Sequence, residues 1–433
     1  MAGQELLVLY GSETGNAEEV AERIGREGNR RHFRVRVLAL DAISPEHLAS
    51  CSDGVIVVST AGQGEAPASM RTFWPSLLRK SLPTSLLSNL SFALFGLGDS
   101  AYPRFNVAAK RLRKRLLQLS ASELLPIGLG DDQHASGFHS ALDPWLSSLW
   151  HSLRLKHPLP PSLHDPPPVS EGCMPPLDPP KLRVSRCGRC SRAESRRSRR
   201  SERLRASFVL DRVNQACNGI IPPSQTDSSI QSGVHSVHSA PLFRNCRLTS
   251  PSHWQDVRHI SLDISQLPRS SIKHSHHKES EAPYEPGDLA AIMPEQAEDD
   301  VNAFLLRTSL DADELVLLAP SDNATVMLNG EASRLQHEPI RVEDLVAGCL
   351  DINGASPKRY FFEVLSHFAQ SDIEQERLQF FASAEGREDL QLYNSREMRT
   401  VSEILYDFST ATPHLEYLLQ VRIMLSFFCI DDV

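Results

Sequence analysis

Runs of consecutive apolar residues recur through the first third of the chain, and each ends in a turn rich in glycine and hydroxyl groups. Leu6-Leu7-Val8-Leu9-Tyr10 leads into Gly11-Ser12-Glu13-Thr14-Gly15-Asn16-Ala17, and Gly54-Val55-Ile56-Val57-Val58 into Ser59-Thr60-Ala61-Gly62-Gln63-Gly64. Phe92-Ala93-Leu94-Phe95-Gly96-Leu97 leads into Gly98-Asp99-Ser100-Ala101-Tyr102-Pro103-Arg104-Phe105-Asn106, and Glu123-Leu124-Leu125-Pro126-Ile127 into Gly128-Leu129-Gly130-Asp131-Asp132-Gln133. Unbroken apolar runs of this length mark strands covered on both faces, as in an open parallel sheet between helices. Ligands bind at the carboxyl edge of such a sheet, so these turns can converge on one crevice.

The first turn has the chemistry of a phosphate cradle. Ser12, Thr14, Gly15 and Asn16 offer short side chains, hydroxyls and free N–H groups just before a helix that starts near Ala17. It lacks the lysine of a P-loop and the G-x-G-x-x-G of a dinucleotide fold, which points to a mononucleotide phosphate bound without a cation. An ordinary βα turn fits these residues equally well. Tyr102 reads either as a ring-stacking residue or as a loop aromatic packed on the sheet edge. Asp131 reads as a solvated turn acid, Asp132 as a site residue, and Trp145, spaced with Leu142, Leu146 and Leu149, as core.

Taken together and in order, these four motifs resemble the flavodoxin-like FMN domain of diflavin reductases over about the first 150 residues. The resemblance implies that Ser12, Glu13, Thr14, Gly15, Asn16 and Ala17 hold the FMN phosphate. Ser59, Thr60, Ala61 and Gly62 would pass one face and the N5 edge of the ring, where a glycine lets the backbone carbonyl turn toward a protonated N5. Tyr102 would stack on the other face. Leu97, Gly98, Asp99, Ser100, Ala101, Pro103, Arg104, Phe105 and Asn106 would frame the ring, with Asp132 near it or the ribityl chain. Ala61 departs from cytochrome P450 reductases, which carry an aromatic there. It is similar instead to the cytosolic NADPH-dependent diflavin reductases that pass electrons to anamorsin-type iron-sulfur assembly proteins, as are Gly130-Asp131-Asp132-Gln133-His134 and Asp143-Pro144-Trp145-Leu146.

At 433 residues the chain has room for two or three domains. It shows no apolar run of membrane-spanning length and no basic n-region of a signal peptide, so a cytoplasmic protein is expected. Eight scattered cysteines suit a reducing compartment, and Cys187-Gly188-Arg189-Cys190 lacks the partners of a zinc site. Charge is uneven. Lys181 to Ala206 holds eleven Lys/Arg and two Asp/Glu, a net of +9, which leaves −18 for the rest of a chain whose total is −9. Without interleaved aromatics this tract implies no nucleic-acid partner, and the acid elsewhere suggests an acidic rim that steers basic redox partners. Residues 156–240, rich in Pro, Ser and Arg and without sustained period, read as a disordered linker between a flavodoxin-like domain at 1–155 and a second folded unit at 241–420.

That second unit begins with strand-like alternation near Arg247–Ser250 and Asp256–Ile264, then Tyr284-Glu285-Pro286-Gly287-Asp288 before another apolar run. It resembles the opening of the reductases' FAD-binding barrel, whose helical insert corresponds to helix-like segments near 298–308, 342–350 and 373–388. Arg359 matches a family arginine that contacts FAD; a surface arginine at a helix start is the other reading. Further family motifs for FAD and the NADP domain find no match, and 421–433 reads as an apolar tail foreign to the family. A truncated chain that binds FMN, binds FAD weakly or not at all and does not oxidise NADPH is therefore expected. The rivals are a P450- or sulfite-reductase-type enzyme and a non-catalytic FMN-binding module. Flavin content and NADPH-driven reduction of cytochrome c, an artificial acceptor, separate them.

Overall fold

The computed structural model describes residues 4–166, 174–189, 242–262, 290–292, 296–321, 339–354, 356–420 and 428–430. Its first sheet contains β1 (Glu5–Gly11), β2 (Arg34–Ala39), β3 (Asp53–Ser59), β4 (Ser91–Gly98), β5 (Ser122–Glu123) and β6 (Gly128–Asp131). All pairs are parallel, in the order β2-β1-β3-β4-β5, with β6 also paired to β4. β5 and β6 pair with successive parts of β4, and Pro126, which has no N–H to donate, lies in the gap between them. This is the flavodoxin-like doubly wound order, with its switch point beside β1 and β3.

The two-residue period of a strand splits each apolar run between two cores. Leu6, Val8, Val55, Val57 and Phe95 pack with Val20 and Ile24 of α1 (Asn16–Arg30) and with Trp145 and Leu149 of α5 (His139–Lys156). Leu7, Leu9, Ile56, Val58 and Leu94 face Phe73 and Leu77 of α3 (Phe73–Leu77), which follows α2 (Pro45–Ala49), and Leu112 and Leu116 of α4 (Val107–Gln118). Trp145 lies in the core as expected, its ring 5.1 Å from Phe95 and its Nε1 donating to the Pro126 carbonyl at 3.2 Å.

The second half supplies β7 (Leu182–Arg189), the antiparallel pair β8 (Leu242–Arg247) and β9 (Arg258–Leu262), and β10 (Ala290–Ile292). α6 (Glu298–Thr308), β11 (Glu314–Pro320), β12 (Ile340–Arg341), α7 (Val342–Cys349), α8 (Arg359–Ser366), α9 (Asp372–Ala382), α10 (Arg387–Leu390), α11 (Val401–Asp407) and α12 (Leu415–Gln420) follow. β13 (Phe428–Ile430), within the stretch read as a foreign tail, pairs antiparallel with β10. The three helix-like segments are present. The linker expectation needs correction, because Leu182–Arg189 is a strand: β11 takes it as an antiparallel neighbour, and Leu182 is buried in the helical core with Val316 and Leu318. Pairing with a distant strand overrides a local composition that offers no period. The Tyr284–Asp288 turn lies outside the described residues.

The halves meet along α1 and α5 on one side and α8 on the other. Asp143 of α5 forms an ion pair with Arg23 of α1 at 2.7 Å and accepts from Arg359 and Arg387 at 3.3 and 3.4 Å. Arg30 bridges Asp178 and Glu363, both at 2.8 Å, and the Arg26 guanidinium lies 3.6 Å from the centre of the Tyr360 ring. Against the cost of its own burial, Arg23 and Arg359 hold the Asp143 carboxyl well below the usual range.

His139, at the start of α5, sits in the same cluster with its Nδ1 buried and without a hydrogen-bond partner among the described residues. Burial, then the nearby Arg359 and Arg23, keep its pKa well below 6.5, against the opposing pull of Asp143 and with Lys358 adding to the depression. A base depressed in the folded state gives stability that is complete above its unfolded pKa and is lost as pH falls below it. Urea denaturation should therefore show stability declining as pH drops below about 6.5, and the His139→Gln variant should show a shallower decline. Equal slopes in the two proteins would remove His139 from the account.

Candidate functional site

The turn after β1 is tied down by its own polar groups. The buried Ser12 hydroxyl accepts from the Gly15 N–H at 2.9 Å, while the Ser12 N–H donates to the Ser69 hydroxyl at 2.7 Å. Gly15, at φ 90°, adopts the left-handed conformation that lets α1 begin at Asn16. The first-turn N–H groups of α1 have no carbonyl four residues back and point out of the helix end with its positive dipole. Thr14, Gly15, Asn16 and Ala17 thus lie together at the N-terminus of α1, where a phosphate cradle is expected. Glu13 turns away from it, accepting from the Ala68 N–H at 2.6 Å and from Arg71 at 3.2 Å. Its side chain braces the 68–71 loop.

The turns after β3 and β4 close a cleft of about 330 Å³ lined by Thr60, Gly62, Gln63, Asp99, Tyr102, Arg104, Phe105 and Asn106. The Ser59 hydroxyl donates to the Gly11 carbonyl at 3.2 Å, and the Thr60 N–H to the Leu97 carbonyl at 3.0 Å, which locks the two edges together. Ala61 pairs with Glu65 across a tight turn in which Gly62 and Gly64 have φ 44° and 91°. A Cβ on Gly64 would come within 2.7 Å of Arg104. Arg104 in turn donates to the Gln63 carbonyl at 2.6 Å, clipping the second loop to the third.

Within the third loop the Asp99 carboxylate accepts from the Ala101 N–H at 2.8 Å. Pro103 is exposed, and Tyr102 is 60% exposed with its ring uncovered, as a stacking residue requires. Leu97 is buried, and Gly98 can only be glycine, because a Cβ would lie 2.9 Å from the Asn106 backbone nitrogen. Asn106, fully buried at φ 54°, donates to the Gly130 carbonyl at 2.9 Å. Thr60 Oγ1 and Asn106 Oδ1 are buried without protein partners among the described residues. A shallow cleft with an open aromatic face, two glycine-dependent turns and unsatisfied polar atoms in its wall fits a flavin ring whose phosphate lies at the α1 end.

Asp131 is not a free turn acid. Its Oδ1 accepts from the Ser100 N–H at 2.9 Å and the Gln133 N–H at 3.1 Å, tying the third turn to the fourth. Desolvation, its largest single influence, pushes its pKa up, but these bonds and then the nearby His134 together lower it. Asp132 is exposed beside it, and desolvation followed by repulsion from Asp99 raises its pKa, with Lys358 opposing. The expected acidic rim is local. Residues 1–155 carry 16 Lys/Arg and 15 Asp/Glu, so the chain's acid excess lies elsewhere; at the cleft, Asp99 is in the lining, with Glu65, Asp131 and Asp132 near it.

Arg359 stands apart from the cleft. Its Nε donates to the Ala382 carbonyl at 2.8 Å and its Nη1 engages Asp143, while burial and then Arg23 lower its pKa to about 10. Among the described residues its guanidinium is committed to holding the halves together. Ser69, Asp143 and Lys358 were missed from the sequence. Asp143 and Lys358 lie within or beside stretches that the sequence singles out, but nothing local shows the partners that the fold brings to each.

Tyr102→Ala should weaken flavin mononucleotide binding by about 1 kcal/mol or more through lost stacking. Asp131→Ala frees two backbone N–H groups and should cost roughly 1 kcal/mol as well. Titration of flavin fluorescence measures both, and an unchanged affinity for Asp131→Ala would restore its reading as a bystander.

The Flavodoxin family matches residues 8–145 and the FAD binding domain family matches residues 232–426. A zebrafish (Danio rerio) NADPH-dependent diflavin oxidoreductase 1 is 38% identical over 96% of this chain and 61% of its own length. Proteins of the same name from Arabidopsis thaliana and Bos taurus are 35% and 36% identical, over 96% and 97% of this chain and 62% and 63% of theirs. A C101A mutant of flavodoxin from Pseudomonas aeruginosa aligns over 35% of this chain and 99% of its own, with 26% identity and a TM-score of 0.31. This chain therefore spans about three fifths of the length of these curated relatives, and over that span it belongs to the diflavin oxidoreductase family, as a flavodoxin-type FMN domain followed by an FAD-binding domain.

Proposed function

We propose that the chain is an FMN-containing electron-transfer flavoprotein of a reductase family in which electrons pass from NADPH through FAD to FMN, and that its own part is the FMN step, delivering electrons to an anamorsin-type iron-sulfur protein of cytosolic iron-sulfur assembly. The cleft between the turns after β3 and β4, tied by Ser59 to the end of β1 and by Asp131 to the fourth turn, carries this reading. FMN, when bound, accepts and releases electrons one at a time. The chain's residues supply placement and tuning. Gly62 at φ 44° leaves its peptide free to reorient along one edge of the ring, a movement a Cβ would oppose. Tyr102 would stack on one face of the ring, and Ala61, small where an aromatic would stack, would leave the other face uncovered toward a partner's redox centre.

No helix among the described residues is long and apolar enough to cross a membrane, in keeping with a cytoplasmic site of action. The acceptor is expected to be basic, because Asp132 stands near the cleft where desolvation and then the Asp99 and Asp131 carboxylates raise its proton affinity, so the three acids concentrate negative charge there.

Stopped-flow mixing of the dithionite-reduced, FMN-loaded chain with anamorsin or cytochrome c should show electron transfer. Its rate should fall several-fold between about 20 and 300 mM salt as the acidic mouth is screened. Failure to transfer to either acceptor would overturn the assignment, whereas a salt-independent rate would overturn only the electrostatic part.

A further inference from the structure

We propose that Lys358, carried by the FAD half, completes the FMN phosphate site, so that cofactor binding and the docking of the two halves reinforce each other. This rests on the reading of residues 12–17 as the phosphate cradle. The Lys358 ammonium donates to Asn16 Oδ1 at 2.8 Å, which puts it at the N-terminus of α1. It also lies within electrostatic reach of Glu19 on the same helix and of Asp132 on the fourth turn. Within the flavodoxin half, Arg71 reaches Glu13 of the turn after β1 and is paired with it.

The placement of Lys358 is enforced from both sides. The Pro357 carbonyl before it accepts from Nδ2 of the buried Asn394 at 2.7 Å, and its own carbonyl accepts from the Phe361 N–H at 2.8 Å to start α8. The next residue, Arg359, is anchored on Asp143. The lysine therefore reaches the cradle only while the halves are docked. An ammonium at hydrogen-bond distance from a cradle side chain favours a dianion at that helix end over a neutral ligand. Linkage makes the effect reciprocal: whatever docking adds to phosphate affinity, phosphate adds to docking.

The test compares FMN with riboflavin, which lacks the phosphate, on the full chain. Lys358→Met should weaken FMN binding about three- to tenfold at low salt, the range expected of a solvent-facing charge pair acting on a dianion. Riboflavin affinity should be unchanged, and Lys358→Arg should retain most of the FMN preference. Hydrogen exchange supplies the reciprocal readout. FMN should increase amide protection across Arg359–Ser366 in the wild type and much less in Lys358→Met. An unchanged ratio of FMN to riboflavin affinity in Lys358→Met overturns the proposal even if FMN binds tightly. Failure of the wild type to prefer FMN over riboflavin would instead bring down the reading of the cradle itself, and this proposal with it.

Discussion

The arrangement of the molecule hangs on one carboxylate. Asp143 lies among three guanidinium groups, Arg23 from its own half and Arg359 and Arg387 from the other, with a side chain only 9% exposed. A buried charge is expensive to desolvate, and three cations around one anion are stable only while that anion is present. The cluster is therefore better at fixing which surfaces meet than at supplying net stability. A misaligned docking would leave several charges buried and unpaired, so the geometry tolerates little slippage. The neighbouring contacts, Arg26 on Tyr360 and Arg30 between Asp178 and Glu363, follow the same pattern, with arginines of α1 reaching across to the second half.

The flavin cleft obeys a different constraint. Its walls are backbone: turns after successive parallel strands, joined by N–H to carbonyl bonds and by the carboxylates of Asp99 and Asp131. Such a site is shaped before any ligand arrives. The side chains left free, the Tyr102 ring and the Thr60 hydroxyl, belong to the lining.

The parallel sheet and its four turns were legible because two-sided burial writes itself as continuous apolar runs, and a turn that must bend sharply writes itself as glycine. Gly15, Gly62 and Gly98 each carry a backbone requirement that the structure confirms in an angle or a close approach. The roles of Glu13 and Asp131 were hidden because an acidic side chain in a turn looks the same whether it faces water or holds a neighbouring loop. β7 was hidden for another reason: its partner β11 is remote in sequence, and nothing local in Leu182–Arg189 announces a strand. Arg359 shows the limit of matching a motif, since the side chain proves to be engaged by Asp143 in the other half.

That remoteness of β7 from β11 sets an order of events as the chain is made. Arg186 and Glu314, which form an ion pair across these strands, are 128 positions apart, whereas every strand of the first sheet has its neighbours by residue 131. Domains generally fold as units during synthesis, the N-terminal one first, and pairings between distant segments come late. The flavin-binding half can thus leave the ribosome, fold and take up its cofactor while β7 is still waiting for a partner strand that has not been translated.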